Sequence, residues 1–193
     1  LHPSALALSP SGVCLYVANA NSDTVTAIDT QTRSVKETIL VRPDPTFPYG
    51  STSDGLALSP DGNRLYVASA GNNAIAVVEL SDARHTNSLV QGFIPTDWFP
   101  GAVVADSNYL YVANVKGLGS RAGQPAAASY QIGAHLGTAN KIPVPDMEML
   151  SKLTAQSFED GRVSQIRETQ HPPQAGRMPV PVPLRVGEPS VFQ

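Results

Sequence analysis

Histidines and carboxylates come first, because they are the side chains that move protons and hold metals near neutral pH. The four histidines, His2, His85, His135 and His171, are scattered, and no pair of His or Cys stands at metal-ligand spacing. Each of the four reads as a surface or loop residue. His135, in Gly133-Ala134-His135-Leu136-Gly137, lies beside a predicted strand and is the one that could face a pocket. Lys116-Gly117-Leu118-Gly119-Ser120-Arg121 could hold an anion, since glycines let backbone N–H groups approach and Lys116 and Arg121 add charge. It lacks the Gly-Lys-Ser/Thr order of a phosphate loop, follows a strand without opening a helix, and reads more simply as a long inter-strand loop. It is no nucleophile elbow either, because Leu118 stands two residues before Ser120. Asp23, Asp29, Asp54, Asp61, Asp97 and Asp106 fall mostly in turns, with Asp54 and Asp97 just ahead of apolar runs. Trp98-Phe99-Pro100 is an aromatic step that either packs between neighbouring units or stacks on a ligand. Cys14 is the only cysteine, so no intrachain disulfide can form, and its place in an apolar run suits a small core residue. Asp54, Asp97, Trp98, Phe99, Lys116, Arg121 and His135 are therefore candidates for a ligand or partner surface. The residue types and spacing give no catalytic constellation, no metal set and no cofactor.

Such residues need elements to position them, and those come from a repeat. Leu6-Ala7-Leu8-Ser9-Pro10-Ser11-Gly12 followed by Leu15-Tyr16-Val17-Ala18 recurs 50 residues later as Leu56-Ala57-Leu58-Ser59-Pro60-Asp61-Gly62 and Leu65-Tyr66-Val67-Ala68. A weaker third copy, Ala102-Val103-Val104-Ala105 and Leu110-Tyr111-Val112-Ala113, follows 45 residues on. Periods of roughly 40–50 residues fit a propeller blade. Each unit reads as four short strands. An apolar first strand (residues 5–8, 56–58) leads into a Ser-Pro-x-Gly turn, where Pro presets φ and Gly takes the left-handed position. Leu-Tyr-Val-Ala is a β-branched and aromatic second strand. Val25–Asp29 and Ile75–Glu79 are third strands, and residues 35–41 and 89–94 are outer strands. Pro and Gly break every helical window in this part.

Composition agrees. Of 193 residues 41% are apolar, enough for a folded core, and 17 Pro with 15 Gly favour many turns. Charged residues are only 15% and the net charge is −3, which gives no footprint for nucleic acid. No apolar run approaches the ~18 residues of a membrane span. The chain opens on Leu1 rather than Met, so it is expected to be a piece of a longer translation product.

Beyond residue 142 the pattern changes. Asp146–Asp160 suits a helix, with Asp146 as cap, Glu148 in the first turn, Met147, Leu150, Leu153 and Phe158 on one face, and Gly161 as stop. That helix is expected to pack on the side of the last unit rather than bind a partner or a membrane surface. Residues 171–189 are Pro-rich and read as an extended, semi-rigid linker, with recognition by a Pro-binding domain the alternative. The expected organisation is all-β: a partial β-propeller of about three four-stranded blades over 1–142, a helical segment over 143–161 and an extended Pro-rich tail over 162–193.

The runs Leu15-Tyr16-Val17-Ala18-Asn19, Leu110-Tyr111-Val112-Ala113-Asn114 and, departing at its last position, Leu65-Tyr66-Val67-Ala68-Ser69 resemble the YVTN-type β-propeller repeat, a bacterial relative of the WD40 blade. The resemblance covers roughly residues 3–142. With Lys116–Ser120, Ile142-Pro143-Val144-Pro145-Asp146 and Arg185–Ser190, the chain is most similar to the propeller found upstream of an alkaline-phosphatase-type phosphoesterase domain in exported bacterial proteins. The resemblance implies a periplasmic or extracellular protein. It carries no phosphoesterase residue onto this chain, because the metal-binding and nucleophilic residues of that domain would lie beyond residue 193. In lactonase-like propellers acidic and Asn side chains of the central channel hold a divalent ion, which would make Asp54 and Asp97 the residues to inspect. The expected function is a non-catalytic binding or scaffold module contacting a protein partner or the remaining blades. The rival readings are the propeller part of a phosphoesterase and a lactonase-like enzyme. Three blades are fewer than the 4–8 of closed propellers, so a fragment, or a ring completed by a partner, is expected.

Overall fold

The computed structural model describes residues 2–82, 86–118 and 136–192. Three antiparallel sheets follow one another along the chain. The first is β1 (Pro3–Leu8), β2 (Cys14–Asn19), β3 (Thr24–Asp29) and β4 (Ser34–Leu40), in that spatial order. The second is β5 (Ser53–Leu58), β6 (Arg64–Ser69), β7 (Ala74–Glu79) and β8 (Leu89–Pro95), again in sequence order. The third holds three described strands, β9 (Trp98–Ala105), β10 (Tyr109–Gly117) and β11 (Thr138–Pro143), ordered β11-β10-β9. Two helices follow, α1 (Met147–Asp160) and α2 (Val163–Thr169). This is a partial propeller with two helices. The chain divides into two compact units, Leu1–Ser157 and Phe158–Gln193.

The turn chemistry of the repeat does what its residues require. In the first copy Gly12 N–H donates to Ser9 O at 2.8 Å, and Cys14 N–H donates to Ser9 Oγ at 3.0 Å. In the second, Gly62 N–H reaches Ser59 O at 2.8 Å and Arg64 N–H reaches Ser59 Oγ at 2.9 Å. Gly12 and Gly62 have φ of +74° and +73°, the left-handed region that a side chain disfavours. The third turn is shorter, and Asp106 closes it by accepting from the N–H groups of Asn108 and Tyr109, both at 2.7 Å.

Period-2 alternation then sends alternate side chains to opposite faces of each sheet. Ala57, Tyr66, Ala68, Ile75, Val77 and Ile94 of the second sheet meet Val103, Leu110 and Val112 of the third in one buried cluster. The first strands of successive sheets lie against one another. Gly55 of β5 admits a close approach, since a Cβ there would sit 3.1 Å from Ala102 Cα and 3.2 Å from Gly101 O. Ser4 Oγ of β1 donates to Ser53 O of β5 at 2.5 Å.

Helix α1 begins as its cap predicts: Asp146 Oδ1 accepts from Met149 N–H at 2.8 Å. Leu150 is buried in the cluster between the second and third sheets, and Leu153 packs beside it. Thr154 Oγ1 accepts the N–H of Phe93 at 2.9 Å, so the helix satisfies a donor on β8, the outer edge of the second sheet. Gly92 makes room for this contact, because a Cβ there would run into Thr154 Oγ1 and Leu150. The expected stripe is corrected at Met147, which is exposed, since the face that reaches the sheet is set by Leu150, Leu153 and Thr154.

In the second unit α2 stands where the extended tail is expected. Its N-terminus is Arg162 at φ +52° with no side-chain cap, so no Ser, Thr or Asp marks it in the sequence. The Pro-rich tail forms no helix or named strand, as its missing donors require. It is not a straight linker, however. Val180 N–H donates to Pro189 O at 3.3 Å and Val191 N–H to Val180 O at 3.2 Å, which folds the tail back on itself. Glu168 of α2 accepts from Arg185 of the tail.

Candidate functional site

Four of the sequence candidates, Asp97, Trp98, Phe99 and Lys116, lie where the chain passes from the second sheet into the third. Asp97 precedes β9, and its Oδ2 accepts from Thr138 Oγ1 at 2.7 Å and Asn140 Nδ2 at 3.0 Å, both on β11. Asn140 Oδ1 in turn accepts from Asn114 Nδ2 of β10 at 2.6 Å. Asn114 is buried, and its Oδ1 finds no hydrogen-bond partner among the described residues. The network ties the start of the first strand to the ends of the second and third. A carboxylate whose oxygen takes two side-chain donors holds strands together.

Beside it, Phe99 takes φ +67°, and its N–H donates to Asn73 Oδ1 of the second sheet at 2.9 Å. Trp98 is 42% exposed. The Lys116 ammonium lies 4.9 Å from the Trp98 ring centre and 5.0 Å from that of Phe99, within cation–π range. This corrects the loop expected at Lys116 and Gly117. Strand β10 runs through both, and Gly117 at φ +49° lets its backbone come against Leu136 O and Thr138. Lys116 is thus applied to aromatic faces as a strand residue. Arg121 and His135 lie outside the described residues, as does His85.

Asp54 is not a residue ahead of a strand. It sits within β5 at an irregularity between Ser53 and Gly55, and it is half-buried. Burial pushes its carboxyl above the usual carboxylate range, with His2 offsetting part of the effect. Among the described residues no group of three or more His, Cys, Asp or Glu side chains could hold a metal ion. Asp61 and Asp106 are turn residues, each held below the ordinary value, Asp61 first by the Ser59 hydroxyl and Asp106 first by the Asn108 N–H. Cys14 is buried in β2.

Two further residues, Asp23 and Asn73, fasten strands in the same way. Asp23, fully buried in the β2–β3 turn at φ +54°, accepts from Gly50 N–H at 2.9 Å and Thr52 N–H at 2.8 Å. Arg42 Nε lies 3.6 Å from Asp23 Oδ2. Asn73 holds the matching place one repeat later, at φ +51°, and takes Phe99 N–H in the same manner. Each side chain fastens the strand that opens the next sheet. The 50-residue repeat that pairs Asp23 with Asn73 was the signal available in the sequence.

Comparisons with known proteins agree with this architecture. The family model described as lactonase, 7-bladed beta-propeller, matches residues 6–118. Among solved structures, a Bacteroides fragilis protein provisionally assigned as a 6-phosphogluconolactonase aligns with TM-score 0.50 and 21% identity, covering 58% of this chain and 32% of its own. Hydrazine synthase of Kuenenia stuttgartiensis aligns at 0.49 and 24%, covering 58% and 29%. The WD40 repeats of RRP9 align at 0.47 and 16%, covering 58% and 32%. These likenesses concern fold, and the chain spans about a third of the length of those structures. No curated protein matches the chain. Among the described residues no helix is long and apolar enough to cross a membrane.

Proposed function

The chain belongs to the lactonase family of seven-bladed β-propellers, and within that fold we propose that it is a binding and scaffolding module that works through the faces and ends of its sheets. The observation that carries this reading is the contrast between covered and open faces of equivalent sheets. Tyr66 of the second sheet is 1% exposed under the third, whereas Tyr111, its counterpart in the third, is 40% exposed. Leu6, Leu8, Val104 and Val115 are exposed on the outermost sheets. Open apolar surface of this kind supports contact with a protein partner or with further blades. Asp97, Asn114, Asp23 and Asn73 support it too, since their polar atoms hold strands. In this reading the module serves protein–protein or interdomain contacts in an exported bacterial protein.

A second reading, lactone hydrolysis, is favoured by the family match and by Asp54. A carboxylate kept on a first strand although burial disfavours its charge is the type of group that serves as a general base toward water. A third, the propeller portion of a metal-dependent phosphoesterase, rests on the resemblance of residues 142–146 and 185–190. A turnover assay on the purified chain separates the first reading from the second, and metal-dependent phosphate-ester hydrolysis by the full-length product tests the third. The binding reading expects the purified chain to leave a panel of lactones and phosphate mono- and diesters at their uncatalysed rates. Lactone hydrolysis that Asp54→Asn abolishes would replace it with the second reading.

A further inference from the structure

The registers align the three sheets residue by residue where the second strand ends. In the first sheet Pro3 stands opposite Asn19, Asn19 opposite Thr24, and Thr26 opposite Val17. In the third, Pro100 stands opposite Asn114, Asn114 opposite Thr138, and Asn140 opposite Val112. In the second, Ser53 stands opposite Ser69, Ser69 opposite Ala74, and Ala76 opposite Val67. The second sheet thus carries the smaller side chain at every one of these places. The Asn19 amide reaches the Thr24 and Thr26 hydroxyls at 3.3 and 2.9 Å, and the Asn114 amide reaches Thr138 and Asn140 at 3.2 and 2.6 Å. At the matching positions of the second sheet neither the amide nor its acceptors are present.

What the second sheet keeps there is a pair of hydroxyls. Ser53 and Ser69 are fully buried, and so are Ala74 and Ala76. Alternation turns Tyr66 and Ala68 toward the third sheet, so Ser69, and Ser53 opposite it, face the first. Neither hydroxyl finds a hydrogen-bond partner among the described residues. The polar groups beside them are engaged elsewhere. Thr52 O accepts from Ala70 N–H at 2.9 Å, Ser51 O from Gly71 N–H at 3.0 Å, and Ser51 Oγ from Asn72 Nδ2 at 2.8 Å. Ser53 O accepts from Ser4 Oγ of the first sheet at 2.5 Å. Buried hydroxyls are seldom left unpaired, because burial removes their water and gives nothing back.

We propose that an internal water molecule sits between the first and second sheets and joins these two hydroxyls, accepting from one and donating to the other. It takes the part that an Asn amide plays in the neighbouring sheets. Water needs little room: its share of liquid volume is about 30 Å³, less than an Asn amide and two Thr side chains fill. Buried waters make about 2–4 hydrogen bonds, and the facing hydroxyls supply the first of them. The site is covered by sheets of this chain, so it stands whichever reading of function holds.

Oxygen-17 relaxation dispersion of the whole chain in solution counts its long-lived internal waters. Ser53→Ala combined with Ser69→Ala, checked for folding by circular dichroism, is expected to hold one fewer than wild type. Ser69→Asn combined with Ala74→Thr and Ala76→Thr puts the amide and its acceptors back and is expected to expel the same molecule. A crystal structure of wild type is expected to show ordered density within about 2.5–3.0 Å of both Oγ atoms, which keeps the test independent of how the variants fold. Either folded variant holding as many long-lived waters as wild type overturns the proposal. So does a crystal structure in which the two hydroxyls bond each other directly, or in which no density lies within reach of both.

Discussion

Replacing Asp23 by Ala removes a buried side chain that joins the β2–β3 turn of the first sheet to the start of the second. Two backbone donors, Gly50 N–H and Thr52 N–H, lose a charged acceptor at 2.9 and 2.8 Å, and Arg42 loses its carboxylate at 3.6 Å. Each stranded buried donor costs about 1–3 kcal/mol, and breaking a buried charged pair from one side costs about 3–5 kcal/mol. These overlap, because the same carboxylate serves all three contacts. Asp23 also occupies φ +54°, where Ala is disfavoured by roughly 1 kcal/mol more. The expected loss is about 3–5 kcal/mol. For a chain of this size that lowers Tm by roughly 6–20 °C at about 2–4 °C per kcal/mol.

Asp23→Asn is the control. It keeps one acceptor and tolerates the left-handed backbone, as Asn73 does at the matching site. About half the loss is expected. Thermal denaturation followed by far-UV circular dichroism measures both, and amide exchange reads the Gly50 and Thr52 N–H groups directly. An Asp23→Ala variant within about 1 kcal/mol of wild type, with those two amides still protected, would refute the assignment of Asp23 as the fastening between sheets.

Three further outcomes are expected. Asp54 has a raised pKa in the folded chain, so its contribution to stability is present at acid pH and lost as pH rises through that pKa; Asp54→Asn should raise Tm at pH 7 and not at pH 3, and thermal melts at both values check it. Gly92→Ala should destabilise by about 1–3 kcal/mol, because the added methyl meets Thr154 Oγ1 and Leu150; a raised denaturant midpoint would count against the packing of α1 on β8. Glu168 is held below the usual carboxylate range by its hydrogen bond from Arg185, so this tie is present at neutral pH and lost as pH falls through the lowered value. Proteolysis between residues 171 and 191 should accordingly speed up in acid, and Arg185→Ala should reproduce the effect at pH 7.

The elements that the sequence exposed were those written in apolar periodicity. Strands β2, β3, β6 and β7 start within one residue of the positions expected from the Leu-Tyr-Val-Ala runs and their successors, because alternation and β-branching report a half-buried pleat directly. What stayed hidden was geometry that side-chain type does not encode. Strand β5 begins at Ser53, three residues before its first Leu, because the irregularity at Asp54 lets polar residues continue the ladder. Gly117 looked like a loop residue, yet it serves as a strand residue whose missing side chain admits Leu136 O. Asp23 resembled every other turn carboxylate, and only the tertiary contact with Gly50 and Thr52 sets it apart.

The Asn that closes two of the three Tyr-Val-Ala runs shows why a repeated polar residue need not be a binding residue. Asn19 stands opposite Thr24, with Thr26 two residues on, and its Nδ2 reaches both hydroxyls, at 3.3 and 2.9 Å. Asn114 stands opposite Thr138, with Asn140 two residues on, and again reaches both, at 3.2 and 2.6 Å. In the second sheet the run ends in Ser69, and the same two positions are Ala74 and Ala76. The donor and its acceptors are lost together, and the Ser69 hydroxyl is left without a partner among the described residues. A ligand site would keep its donor whatever stood on the third strand. A clamp between second and third strands has no use for the donor once the acceptors are gone, and it is replaced here by a small, buried Ser69 and two buried alanines. The same test applies to Asp97, whose oxygen is held by Thr138 and Asn140, the acceptors of that clamp. It belongs to the strand fastening, and among the described residues Asp54, Trp98 and the open sheet faces remain surfaces on which a ligand or partner can act.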